Sequence, residues 1–258
     1  MLYFISSICL VLFLIFFFQR SLIYFPEYSD LTPEMAGVAE MKTVLLKTED
    51  GLQIKSWYAP PKVPESLTIV YLHGNAGHIG YRAALVKPYL NVGYGVFLLT
   101  YRGYSGNPGK PSEEGLYADA RAALEFLKGK SVVLFGESIG SAVAIQMALE
   151  YDVKAIILQS PFTSLADVGA YHYPFLPVKW LLRDEFQSLE KAPKVHIPVC
   201  IIHGQNDGII PKEMALKLFS AFSEPKTLLL VPYSGHNDLY EPRAVIEFIQ
   251  KLEHIPPS

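Results

Sequence analysis

From residue 42 onward the chain alternates between short continuous apolar runs and longer stretches in which apolar residues recur with helical spacing. The first two short runs, Lys42–Thr48 and Leu52–Ala59, are separated by Glu49-Asp50-Gly51. Asp-Gly supplies the positive φ of a tight turn, so these two runs read as an antiparallel hairpin. Ser66–His73, Tyr94–Tyr101, Ser131–Phe135, Lys154–Ser160, Pro198–Gly204 and Lys226–Pro232 follow. Each has the length of a strand, and apolar residues fill both of its faces, as a strand covered from two sides requires. Between them, Tyr81–Tyr89, Ser112–Lys128, the stretch after Ser138, Lys212–Phe222 and Glu241–Glu253 carry helical patterns. In Ser112–Lys128 the residues Leu116, Ala120, Ala123, Leu124 and Leu127 make one apolar face. This order predicts an α/β fold. It has a mostly parallel eight-stranded sheet, helices on both faces and an antiparallel hairpin at the N-terminal end.

Two stretches break the rhythm. Leu2–Phe18 holds no charge and only two serines, and Gln19 and Arg20 close it. Its length is at the short end of what spans a bilayer, about 17 to 25 residues. No basic residue precedes it, and no small-x-small cleavage site ends it, as a signal peptide requires. Bulky apolar residues cover all its faces, unlike an amphipathic core helix. Residues 1–25 are therefore expected to be a retained, single-pass transmembrane anchor. The lone flanking Arg20 leaves open the side of the membrane on which the rest lies. Residues 26–40, with Pro26, Pro33 and Gly37, read as a linker, and 41–258 as one domain. The second break is 161–197, where one crossover helix would suffice. It contains "YHYPFLPVKWLLRDEF" and is expected to form a small helical cap after the sixth strand.

Composition removes several function classes. Half of the 258 residues are apolar, enough for a large core. The net charge is −3 with no basic cluster, which argues against a nucleic-acid partner. The two cysteines, Cys9 and Cys200, both lie in apolar runs and imply neither a disulfide framework nor a zinc site. No spacing among the histidines suits a metal. Gly74, Asn75 and Gly77 lack the Lys-Ser or Lys-Thr pair of a phosphate loop, and G-x-G-x-x-G is absent. No cofactor is expected.

In a sheet of this kind chemistry collects at the carboxyl ends of the strands. Ser138 stands at the end of the fifth, in Gly136-Glu137-Ser138-Ile139-Gly140, where strand turns into helix. Asp207 follows the seventh and His236 the eighth. A neutral hydroxyl is a weak nucleophile. It needs an imidazole to take its proton and a carboxylate to fix that imidazole's tautomer. It also needs donors for the developing oxyanion. The Ile139 amide is one, and the loop after the third strand offers Asn75, with Ala76 as the alternative. Asp167 and Asp184 are competing acids, but both lie inside the excursion rather than at a strand end. His73 and His203 precede glycines and read as turn residues. His78 is an alternative substrate contact. Arg102 is either an anion-binding or a structural loop arginine.

The segments "RSLIYFP", "YLHGNAGHIGYR", "YRGYSGNPGKPSEEGLYADA", "LFGESIGSAVAIQMA", "LQSPFTSL", "IIHGQNDGIIP" and "YSGHNDLY" extend over nearly the whole chain. In that order they resemble the α/β-hydrolase superfamily, and more narrowly its Bem46 and abhydrolase domain-containing 13 group. The resemblance implies Ser138 as nucleophile, Asp207 as acid and His236 as base. It also implies a membrane anchor and a cap after the sixth strand. Thr100 departs from the Asp that the family often carries before "YRGY". The combined expectation is a serine hydrolase of carboxylic esters or thioesters, working through an acyl-enzyme on small acyl esters or acylated proteins near a membrane. A serine peptidase or aminopeptidase on the same triad is the alternative, and a non-catalytic membrane adaptor the more distant one.

Overall fold

The computed structural model describes residues 2–253, apart from the side chains of residues 2–5, 8 and 9. The side chain of Cys9 and all of His254 therefore lie outside the described residues. The apolar runs become strands β1 (Lys42–Lys47), β2 (Gln53–Ala59), β3 (Thr68–Leu72), β4 (Gly95–Leu99), β5 (Val132–Glu137), β6 (Ala155–Gln159), β7 (Val199–Gly204) and β8 (Lys226–Val231). They form one eight-stranded sheet in the order β8-β7-β6-β5-β3-β4-β2-β1. β2 is antiparallel to both β1 and β4, and every other neighbouring pair is parallel. Two successive reversals cancel, so β2 alone runs against the rest, one place in from the edge.

Residues two apart on a strand share a face, and β3 divides accordingly. Val70 and Leu72 join the core formed with α3 (Glu113–Phe126), α4 (Ile139–Glu150) and α8 (Lys212–Ala221). Ile69 and Tyr71 join the core formed with α2 (Ala83–Val92) and α9 (Pro242–Glu253). Every residue of β3 and β4 is buried, which explains why those runs are continuously apolar. α3 is capped by Ser112, whose hydroxyl accepts from the Gly115 amide at 3.1 Å, satisfying a donor that the first helical turn leaves open.

The excursion after β6 folds as α5 (Leu165–His172), α6 (Val178–Leu181) and α7 (Ser188–Lys191). The N-terminal stretch is α1 (Leu2–Ile23), a single helix of 22 residues. Among the described residues no helix is long and apolar enough to cross a membrane. The end of α1 is tied to the cap. Arg20 donates two hydrogen bonds to Asp184, at 2.9 and 2.8 Å, and the Tyr24 hydroxyl donates to the same carboxylate at 3.1 Å. Gln19 donates to the Leu181 carbonyl at 3.0 Å and accepts from the Arg183 amide at 2.7 Å. Phe25–Pro26 then pairs in parallel with Ala76–Gly77. Within residues 26–40, Val38 is buried in the core with α2 and α9.

Candidate active site

Ser138 sits between β5 and α4 with φ 53° and ψ −116°. Non-glycine residues rarely adopt positive φ, and the strain holds the side chain out from the turn. The flanking glycines make that turn fit. A Cβ on Gly140 would overlap the Leu72 carbonyl, and one on Gly136 would overlap the Gly140 carbonyl. Backbone, not flexible side chain, fills both places, so no substituent is accommodated.

The residues chosen from the ends of β5, β7 and β8 converge. His236 Nε2 lies 3.2 Å from Ser138 Oγ, and His236 Nδ1 lies 2.7 Å from Asp207 Oδ2. Asp207 is fixed from behind, because its Oδ1 accepts from the Ile209 and Ile210 amides at 2.9 and 2.8 Å. Burial works to raise the pKa of Asp207. The hydrogen bond from His236 and those from the two amides outweigh it and hold the carboxyl below its ordinary range. An ionised carboxylate only accepts, so Nδ1 carries the ring proton. The neutral ring then presents an acceptor at Nε2 to the serine hydroxyl. His203 packs against the same acid, 3.5 Å away, while bonded to the Ile210 carbonyl.

Ser138 and His236 open into a cavity of about 830 Å³, which Asn75, Ala76 and Ile139 also line. Its other walls are largely apolar and come from α1, α5 and the cap. Beside Ser138 lies a half-buried ion pair. Arg82 Nη2 contacts Glu137 Oε1 at 3.0 Å, and the Tyr71 hydroxyl donates to Glu137 Oε2 at 2.7 Å. Burial pushes the Glu137 pKa up, and the Arg82 charge, with these hydrogen bonds, brings it below the ordinary value. Among the described residues no group of His, Cys, Asp and Glu is placed to hold a metal ion.

Residues 64–189 match a family described as serine aminopeptidase, S33. The chain is 42% identical over 243 residues to the uncharacterized protein Rv2307c of Mycobacterium tuberculosis, covering 91% of this chain and 86% of that one. It is 31% identical over 247 residues to protein Bem46 of Schizosaccharomyces pombe, covering 86% and 81% respectively. Its fold superposes on the Pyrococcus furiosus esterase Pf2001 with a TM-score of 0.71 at 19% identity, covering 89% of this chain and 96% of that one. The chain belongs to the α/β-hydrolase superfamily. Within it, the chain resembles Bem46.

The remaining candidates in this hydrolase lie elsewhere. Arg102 is not at the cavity; Asp50 and Asp119 hold it, with contacts of 2.6 and 2.8 Å. His78 caps the 3-10 turn that follows it, accepting from the Gly80 amide at 2.9 Å. Asp167 bonds to the Thr163 hydroxyl at 2.7 Å, and Asp184 belongs to the α1 latch. Thr100 is buried with its hydroxyl unpartnered. Sequence reasoning missed Arg82, Glu137 and the α1 residues at the cavity. Glu137 had a signal, since it is the charged residue inside the glycine-flanked elbow at the end of a buried strand.

Proposed function

We propose that this protein is a serine hydrolase of carboxylic esters or thioesters. The contact of His236 with both Ser138 and Asp207, inside a mostly apolar cavity, carries that reading. Ser138 Oγ attacks the acyl carbonyl as its proton passes to His236 Nε2. Asp207 stabilises the imidazolium that forms. The oxyanion is held by the Ile139 amide, one of the unbonded donors at the start of α4, and by the amide of Asn75 or its neighbour Ala76. The imidazolium returns its proton to the departing alkoxide or thiolate. Water then attacks the acyl-enzyme, giving up a proton to His236, and the carboxylic acid leaves as Oγ is reprotonated. No cofactor enters.

The apolar walls favour acyl substrates, either small esters or acylated proteins. The apolar α1, with Leu10, Phe13, Leu14 and Phe17 exposed, supports attachment of the protein to a membrane through this helix, with the hydrolase domain following it. The serine aminopeptidase description of the matched family supports an amidase as the second reading. An aminopeptidase needs a free carboxylate for the substrate's ammonium. Glu137 is the acid among the described lining residues, and Arg82 and Tyr71 already occupy it.

Labelling with a fluorophosphonate tests the nucleophile. Wild type should label and Ser138→Ala should not, with ester turnover falling by about four orders of magnitude or more. Equal labelling of both proteins rejects Ser138. Faster turnover of aminoacyl anilides than of p-nitrophenyl esters establishes the peptidase reading instead.

A further inference from the structure

Nothing in α1 is needed to assemble Ser138, His236 and Asp207, which all stand at strand ends. Yet Ile15, Gln19, Leu22 and Ile23 line the same cavity as Ser138. Their spacing puts them on one face of the helix. The opposite face, with Leu10, Phe13, Leu14 and Phe17, is exposed, and Leu22, although it lines the cavity, is exposed as well. Leu165 and Val168 of α5 line the same cavity.

The helix is held in register with the nucleophile. The Asn75 side chain donates to the Ile23 carbonyl at 2.8 Å, and the Phe25 amide donates to the Asn75 carbonyl at 2.8 Å. The neighbouring Gly74 packs close to the Ser138 side chain. The Ile23 end of α1 therefore abuts the reaction centre. Ile15 lies two turns farther out, about 12 Å along the axis. The Arg20–Asp184 pair locks the same segment to the cap. A two-turn wall of Ile15, Leu22 and Ile23 starts at the nucleophile; its one polar member, Gln19, has its amide group tied to the 181–183 backbone, and with an exposed apolar back the wall suits an extended alkyl chain delivered along the helix.

We propose that the inner face of α1 is the wall of an acyl-chain subsite. The substrate is then an ester or thioester of a medium- or long-chain fatty acid, its carbonyl at Ser138 and its chain running from Ile23 towards Ile15. This rests on the ester or thioester reading above and adds the class of acyl group and the residues that measure it.

The test uses the full chain in detergent micelles and compares Ser138 labelling rates with ethyl, hexyl and dodecyl fluorophosphonates. Ile15→Trp should lower the dodecyl-to-ethyl rate ratio by about tenfold or more while sparing the hexyl-to-ethyl ratio. Leu22→Trp, nearer the serine, should lower both ratios. Phe18→Trp, which is exposed on α1 and outside the cavity lining, should change neither. Unchanged ratios in Ile15→Trp and Leu22→Trp overturn the proposal. So does an equal loss with all three probes, which makes α1 a structural support only. Wild type that labels with no probe at all rejects Ser138 as nucleophile, an outcome visible before any variant is made.

Discussion

The two sides of the cleft are held by different physics. On the sheet side, backbone fixes position. Ser138 is bent into positive φ, Gly140 presses on the Leu72 carbonyl, and Gly204 presses on the Ser234 carbonyl. On the cap side, a few side-chain contacts do the work: Arg20 and Tyr24 on Asp184, and Gln19 on the 181–183 backbone. That side also leaves Phe175 and Trp180 in solvent, 81% and 89% exposed. Each side has its own buried aspartate with a cationic or imidazole partner. Burial and pairing therefore do not single out a candidate catalytic acid; the partner's next contact does. His236 leads on to a hydroxyl in a strained turn, whereas Arg20 leads to a helix.

Breaking the acid on the sheet side should have the largest effect. Asp207→Asn keeps the shape and an acceptor for the Ile209 and Ile210 amides. It removes the charge that holds the proton on His236 Nδ1. Turnover of p-nitrophenyl esters should fall by about 10,000-fold, with little change in the thermal unfolding midpoint. A loss under tenfold would show that Asp207 does not orient the base.

A second prediction concerns stability on the sheet side. His73 is fully buried against Tyr101 and Tyr104, with Nδ1 near the Gly74 carbonyl and Nε2 unpartnered. Burial first, and then the Arg82 charge, pull its pKa down to about 3. The unfolded chain binds that proton near pH 6.5, its ordinary value, so between the two values the unfolded state holds more protons than the fold. Stability therefore rises with pH through this window and is lost as pH falls, by about 1.4 kcal/mol per pH unit for one such group. Asp207 and Glu137, with lowered pKa values, lose their contribution only at lower pH. Down to about pH 4.5, near the ordinary carboxylate values, the acid limb thus belongs to His73 together with His78 and His203, whose pKa values burial also lowers. Urea unfolding of His73→Gln against pH should show a shallower limb there. An unchanged slope would mean the His73 ring is protonated or solvated in the folded protein.

The same contrast explains what was legible in the sequence. Strands buried on both faces announce themselves as continuous apolar runs, and a parallel sheet then fixes which residues stand at their ends. Ser138, Asp207 and His236 were found that way. The reversed strand was half legible: Asp50-Gly51 signals the hairpin, but no local feature says that β2 slots in beside β4. The cap-side contacts were not legible at all. Asp184 looked like one of several acids in an irregular excursion, and its partner Arg20 is 164 residues away in the chain. A helix that is apolar all round likewise carries no mark of which face meets a cavity.

The smallest of these effects isolates the latch. Arg20 is 37% exposed and Asp184 2%, so on losing Asp184 the arginine can turn to water and no buried charge is left unpaired, which keeps the cost of breaking the ion pair small. Tyr24 is different. It is 3% exposed, and its hydroxyl donates to the carboxylate. Asp184→Ala strands that hydroxyl, and a buried donor without a partner costs about 1–3 kcal/mol. Chemical denaturation should register a loss in that range for Asp184→Ala. Adding Tyr24→Phe to the same chain removes the stranded group and should return part of it. If the double variant is no more stable than Asp184→Ala, the cost lies in the ion pair. The cap side would then be held by charge rather than by a satisfied hydroxyl.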